Sequence, residues 1–365
     1  MKVVLIGGHL GPALAIAKKL KKDEIFYIGR KFTFEGDSAV SLEYQEINKL
    51  NIPFFAITTA RFQRKFTRYT IFSLSKYPIG FYQSIKILNK IKPDVVLGFG
   101  GYVSIPVIQA AYLLKIPVVI HEQTLEAGFS NRIAAKIAKK VCISWKSSEN
   151  YFPKQKTILT GIPLREEIID IKKIQKEKNN IPIIYVTGGS SGSHVINSLV
   201  EKSLDKLLKN YVIIHQTGDS QKHKDYEKLE KKISELDKSV SQNYVLKKFF
   251  SSMEAARVLY NCDLVVGRAG INTTAELIYL QKPALLIPIP FTQKNEQFKN
   301  AEFLKGLGLG LVLEQNLLTE ELFISTINSM INNISIYKLE QNVLANDATE
   351  KIVEVLKSVS KKKTT

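Results

Sequence analysis

Short apolar runs alternate with longer amphipathic segments along the whole chain. The first half carries runs at 3–6, 25–28, 53–57, 95–97, 118–120 and 141–143, and the second at 183–186, 212–215, 244–246, 264–266 and 284–287. Apolar runs this short, spaced by helix-length segments, predict βαβ units whose strands are buried on both faces of a parallel sheet. So many strands exceed one ordinary open sheet, so two are expected. The seam falls in "TGIPLREEIIDIKKIQKEKNNIPIIYV", where Gly161 and Pro163 interrupt the pattern and a Lys/Asn-rich stretch precedes a fresh strand at Ile183.

Four of these runs end in glycine and then turn helical: "VVLIGGHLGPALAIA", "VVLGFGGYVSIPVIQAA", "IIYVTGGSSGSHVINSL" and "CDLVVGRAGINTTAEL". Glycine lets a ligand approach backbone amides, and a helix start presents free N–H groups and a positive dipole end, which together suit phosphate. One such turn can be mere βα geometry. Two in each half point to ligand sites beyond the carboxyl ends of two sheets. In the fourth, Thr273 and Glu276 have capping-box spacing, so either the helix ties itself off or an external group sits on its end. The absence of G-x-x-x-x-G-K-[ST] and of a helix-opening G-x-G-x-x-G excludes a P-loop NTPase and a simple dinucleotide dehydrogenase.

The 365 residues are 45% hydrophobic, enough for two domains with substantial cores. Cys142 and Cys262 sit in apolar runs without a CxxC partner and are expected as reduced core thiols. The first apolar run breaks at Gly7-Gly8, too short for a signal-peptide core, and no run is long enough to span a bilayer.

The net charge of +18 is unevenly placed. Between Ile47 and Pro93 there is no Asp or Glu, while Arg61, Arg64, Lys65 and Arg68 interleave with large apolar residues including Phe72 and Phe81. That mixture suits an anionic membrane surface, each cation contributing about 1 kcal/mol. The alternatives are a solvated helix pair or a nucleic-acid patch, although no RNA-binding signature accompanies it.

Among the histidines, His9 lies in the first glycine turn and His121 ends "PVVIHEQ" beside Glu122, whose carboxylate could orient the imidazole or bind hydroxyls. A histidine there could take a proton from a sugar hydroxyl, or simply anchor its loop. No Asp-x-Asp or His/Cys cluster has metal-ligand spacing, so no tightly held metal is expected.

Taken in order, "GFGGYVSIPVIQAAYLLKIPVVIHEQTLEAGFSNRIAAKIAKKV", "GIPLR", "VTGGSSGSHVIN", "HQTG", "VVGRAGINTTAEL" and "QFKNA" resemble one family across residues 3 to 315. It is the MurG family of cell-wall N-acetylglucosaminyltransferases, within glycosyltransferase family 28. The resemblance implies an α/β GT-B architecture, two Rossmann-like doubly wound domains facing across a cleft. Residues 1–162, completed by a C-terminal helix at 345–360, would form the acceptor and membrane-docking domain. Residues 163–344 would bind UDP-N-acetylglucosamine, the donor substrate, with no tightly bound cofactor.

On the donor side the resemblance implies Gly8, Arg165, Ser190 of the diphosphate loop, the backbone of Phe250 against uracil, Ile271, Asn272 and Thr273 at a helix start, Glu276 on the ribose hydroxyls, and Gln297 on the sugar. On the acceptor side it implies Tyr102, Thr124 and Asn131, with His9 as general base and His121 and Glu122 as further catalytic candidates. The reaction implied is inverting transfer to the 4-hydroxyl of the muramyl sugar of undecaprenyl-linked lipid I, giving lipid II, peripherally at the cytoplasmic face of the inner membrane. Anionic lipid and other cell-wall synthesis proteins are the partners implied, and nucleic acid is not.

The sequence departs from the family pattern at its first loop, which is shorter in "GGHLGP", and at Thr124, Ser191 and Ala269. Two rivals share some of these features. A UDP-N-acetylglucosamine 2-epimerase would bind the same donor without a lipid acceptor, and a non-enzymatic basic protein binding membrane or nucleic acid would turn over neither.

Overall fold

A computed structural model of the chain describes residues 1–32, 40–59, 76–176, 180–339, 343–344 and 347–360. It divides into two compact units, Met1–Arg165 with the C-terminal stretch, and Glu166–Leu344. Arg165, expected on the donor side, is the last residue of the first unit.

Among the described residues, the first unit is built on seven parallel strands, β1 (Lys2–Ile6), β2 (Glu24–Gly29), β3 (Phe54–Ala56), β4 (Val95–Gly98), β5 (Val118–Glu122), β6 (Lys140–Ile143) and β7 (Thr157–Leu159), in the order β3-β2-β1-β4-β5-β6-β7. The second has six, β8 (Ile183–Thr187), β9 (Val212–Gln216), β10 (Tyr244–Lys247), β11 (Leu264–Gly267), β12 (Ala284–Leu286) and β13 (Gly310–Val312), in the order β10-β9-β8-β11-β12-β13. Both orders reverse beside the first strand of the unit, between β1 and β4 and between β8 and β11. At such a switch point the connections leave to opposite faces of the sheet, and the loops at the strand carboxyl ends part to leave room for a ligand.

The central strands are buried on both faces, which explains their uninterrupted apolar runs. β1, for instance, buries Val3, Leu5 and Ala13's helix on one face and Val4 and Ile6 on the other. Two strands had no such signature. β7 is a three-residue edge strand with Leu159 half exposed, and β13 begins on Gly310, where a Cβ would lie 2.0 Å from the Ala284 carbonyl oxygen. The helix Ala348–Val359 returns to the first unit and lays Ile352, Val353, Val355, Leu356 and Val359 into the core with Val3, Leu5 and Ile16.

The basic segment falls mostly outside the described residues, including Arg61, Arg64, Lys65, Arg68 and Phe72. Phe81 is described, and it corrects the expectation of a membrane-facing ring. In the helix Tyr77–Ile91 it packs inward against the core, while Ile79 and Tyr82 on the same helix are exposed. Among the described residues, no helix is long and apolar enough to cross a membrane. Cys142 and Cys262 are free and buried, and burial pushes both thiols up to about 12, which leaves them unreactive.

Candidate active site

In the first unit the glycine turns after β1 and β4 pack on each other. A Cβ on Gly8 would stand 2.5 Å from the Phe99 carbonyl oxygen and 2.6 Å from that of Gly100, so only glycine fits. Gly101, at φ +74°, faces the Cα of Gly8 from the other side. This contact delivers His9, the N-cap of the helix Leu10–Lys19, whose side chain makes no capping bond. Burial lowers the His9 pKa from its ordinary value, and the nearby Glu122 carboxylate acts in the opposite direction. A neutral imidazole with an anion close enough to favour its protonated form is equipped to accept a proton.

His121 and Glu122 were both expected among the groups that meet substrate. The structure buries both. They end β5 with side chains on opposite faces, and neither reaches solvent, being 0% and 1% exposed. The His121 ring stands edge-on to Phe99, with Nε2 3.2 Å from the Gly161 carbonyl oxygen and 3.1 Å from the Ser144 hydroxyl. Burial depresses its pKa to about 4, so it stays neutral as a structural group.

Glu122 does not bond the imidazole of His121. Its Oε1 accepts from the Thr124 amide (3.0 Å) and hydroxyl (2.6 Å), and its Oε2 from the Gly128 amide (2.8 Å) and Asn131 Nδ2 (3.0 Å). One buried carboxylate thus organises the turn after β5 and the start of the helix Phe129–Ile137, while its charge bears on His9. Thr124 and Asn131, expected to bind acceptor, are themselves buried and spend these bonds on Glu122. Tyr102 is half-buried; its hydroxyl accepts from Arg30, whose guanidinium also lies over the ring.

In the second unit the loops after β8 and β9 interlock. Gly192 has φ +70°, and a Cβ there would lie 1.9 Å from the Thr217 carbonyl oxygen; Gly218, at φ +72°, presses back on Gly192. Ser193 then caps the helix His194–Leu207 through the Ile196 amide (3.5 Å), leaving Ser190 exposed at the loop tip. After β11, Gly270 is the N-cap of the helix Ile271–Leu280 and supplies no side-chain cap. The first intrahelical bond runs from the Thr274 amide to the Gly270 carbonyl (2.9 Å), so the amides of Ile271, Asn272 and Thr273 precede the ladder at the positive end of the helix.

The capping box expected from Thr273 and Glu276 is therefore absent. Both residues lie inside the helix, where i,i+3 spacing puts them on one face. A true capping box occurs instead at Ser251 and Glu254, opening the helix Ser252–Asn261. Phe250 stands just before it, with its amide donating to Gln216 Oε1 (3.2 Å) and its ring edge-on to Tyr185. Gln297 opens the helix Glu296–Gly306 and accepts from the Ile289 amide (3.0 Å). Ser190, Phe250, Ile271, Asn272, Thr273 and Gln297 thus stand on the carboxyl-end loops or helix starts after β8, β10, β11 and β12.

Arg268, which no sequence pattern singled out for a role, ties these loops together. It donates to Ser193 Oγ (3.1 Å), the Ile287 carbonyl (2.9 Å) and Gln315 Oε1 (2.8 Å), and burial lowers its pKa to about 10.

Two family models match the chain, "Glycosyltransferase family 28 N-terminal domain" over residues 6–143 and "Glycosyltransferase family 28 C-terminal domain" over residues 183–359. A Clostridium botulinum (strain 657 / Type Ba4) protein named UDP-N-acetylglucosamine--N-acetylmuramyl-(pentapeptide) pyrophosphoryl-undecaprenol N-acetylglucosamine transferase is 33% identical over 374 residues, covering 99% of each chain. The chain belongs to glycosyltransferase family 28. A protein of the same name from Acetivibrio thermocellus is 35% identical over 383 residues, covering 100% of this chain and 99% of its own.

Among solved structures, MurG of Acinetobacter baumannii is similar at a TM-score of 0.71 and 26% identity, over 98% of this chain and 100% of that one. The two Rossmann-like domains described above are the GT-B fold of family 28. A UDP-GlcNAc 2-epimerase from Neisseria meningitidis, at 15% identity and a TM-score of 0.66, shares the fold alone.

Proposed function

We propose that this family 28 enzyme transfers N-acetylglucosamine from UDP-N-acetylglucosamine to the muramyl sugar of lipid I, forming lipid II. The observation that carries the proposal is end-to-end similarity to N-acetylglucosaminyltransferases of that name. The glycine turns and uncapped helix start of the second unit support it, because they suit a nucleotide diphosphate.

The donor is held by the second unit. Ser190 and the amides at 271–273 face the diphosphate, Glu276 accepts from the ribose hydroxyls, the Phe250 backbone meets uracil, and Gln297 meets the sugar, with Arg165 and Gly8 as further donor contacts. The acceptor is held by the first unit near Tyr102. His9 takes the proton of the muramyl 4-hydroxyl as that oxygen bonds to the anomeric carbon. The bond from that carbon to UDP breaks, and its electron pair leaves with the β-phosphate, inverting the configuration. Glu122, Thr124 and Asn131 hold the turn that faces His9. No tightly bound cofactor is required. The segment with Arg61, Arg64, Lys65, Arg68 and Phe72 docks the enzyme on the anionic cytoplasmic leaflet, where other cell-wall enzymes also work.

Incubation with isotope-labelled UDP-N-acetylglucosamine and a short-chain lipid I analogue tests the assignment. Label appearing in a disaccharide lipid is the expected result. Formation of UDP-N-acetylmannosamine would make the protein an epimerase, and no turnover would leave a non-enzymatic binding protein. For docking, Gln at the four cationic positions should reduce co-sedimentation with anionic vesicles at low salt; unchanged co-sedimentation would remove that part.

A further inference from the structure

Glu43 has no part in any motif, yet its carboxylate lies directly beneath the first glycine turn. It projects from the first turn of the helix Leu42–Lys49, which Ser41 caps through the Tyr44 amide (3.2 Å) while donating its hydroxyl to the Arg30 carbonyl (2.7 Å). The head group fills the space that side chains on two glycines would need. A Cβ on Gly7 would lie 2.1 Å from Glu43 Oε1, and one on Gly29 would lie 2.8 Å from Oε2. These glycines stand at the carboxyl ends of neighbouring strands, β1 and β2.

The carboxylate is fixed from below and from the side. Tyr27, fully buried in β2, donates its hydroxyl to Oε1 at 2.6 Å, and the Arg30 amide donates to Oε2 at 3.3 Å. The Gly8 amide lends further hydrogen-bond support to the ionised form. Gly8 is thus held on one side by this carboxylate and confined on the other by the Phe99 and Gly100 carbonyls. The next residue is His9. Burial raises the Glu43 pKa while these donors oppose the shift, as expected for a carboxylate kept in place by its partners.

We propose that Glu43 is a positioning residue for His9: its carboxylate clamps Gly7 and Gly8 from within the fold and thereby sets where the imidazole meets the acceptor hydroxyl. This inference rests on the transferase reading above, and it concerns turnover and acceptor geometry rather than donor binding. Of the donor contacts assigned above, Gly8 alone adjoins Glu43, and those of the second unit stand on other loops.

The test uses the full chain with Glu43→Gln and, because a change at Glu43 could compromise folding, Tyr27→Phe, which removes only one hydroxyl. Turnover on the lipid I analogue, UDP-N-acetylglucosamine binding by calorimetry, and titration of ¹⁵N-labelled histidines by NMR are compared with wild type. Misplacing a catalytic group by about 1 Å can cost on the order of 100-fold. Glu43→Gln should therefore lower kcat by about 10- to 100-fold and Tyr27→Phe by less, with donor affinity falling far less than kcat because Gly8 is the one donor contact nearby. The His9 titration should move from its wild-type position. Folded variants with wild-type kcat and an unmoved His9 titration would overturn the proposal. So would a fall in kcat with His9 unmoved, which would reduce Glu43 to a purely structural role. Failure of wild type to transfer sugar at all would instead refute the transferase reading.

Discussion

Gly192 and Thr217 occupy each other's space: the α-hydrogen side of the glycine faces the threonine carbonyl so closely that a methyl group would stand 1.9 Å from its oxygen. The loop after β8 can therefore keep its shape only while position 192 is glycine, at a backbone angle that also disfavours other residues. Gly192→Ala should weaken UDP-N-acetylglucosamine binding by at least about tenfold and destabilise the protein by about 1–3 kcal/mol. Calorimetric donor titration and a melting curve check both. Unchanged donor affinity in a destabilised protein would remove this loop from the binding site.

Because Glu276 does not cap its helix, Glu276→Ala should cost less stability than the loss of a cap while raising the donor KM strongly. Ser251→Ala should do the reverse. It breaks a real capping box and should cost about 1 kcal/mol in chemical denaturation, with little effect on the donor KM. If the two variants exchange these phenotypes, the assignment of ribose binding to Glu276 is wrong.

Glu122 is expected to act on His9 through charge. Removing that charge takes away the influence that raises the His9 pKa and leaves burial to lower it further. In Glu122→Gln the acid limb of the kcat profile should therefore shift to lower pH, alongside a lower maximum from the loosened turn. A pH–rate series on the lipid I analogue decides the matter, and a shift to higher pH would contradict the link.

Two buried histidines should make the protein sensitive to acid. His121 has its pKa depressed to about 4 by burial in the first unit, and His215, bonded to Tyr244 and Asn197, to about 3 in the second. Each binds a proton in the unfolded chain near pH 6.5 but not in the folded one. Their contribution is intact above about pH 6.5 and is lost as pH falls toward those folded values, by up to about 1.4 kcal/mol per pH unit each. Denaturation midpoints between pH 7 and 4 should fall, and less steeply in His215→Gln. Parallel slopes would show that other groups carry the effect.

The double Rossmann pattern was legible because central parallel strands bury both faces, which leaves apolar runs and glycine-ended turns in the sequence. β7 and β13 were not, since three residues at a sheet edge or starting on glycine carry no run. The site was legible as loops but not as orientations. His121 and Glu122 are adjacent in "HEQ", and only the strand's alternation, combined with what packs on each face, decides that both are buried and that Glu122 serves Thr124, Gly128 and Asn131. Thr273 and Glu276 had the spacing of a capping box, but the helix begins at Ile271, so the pattern fell inside it. Glu43 could not have been found, because its importance lies in two glycines distant in sequence that leave room for its carboxylate.

The helix Ala348–Val359 gives the chain an unusual order of assembly. The first unit leaves the ribosome with a greasy flank over Val3, Leu5 and Ile16 that is sealed only by residues translated after the second unit. Synthesis of the intervening unit must finish before that flank is covered. A fragment stopping at Arg165 would therefore be sticky and prone to aggregate, and cutting the gene at the visible seam would not yield two independent halves.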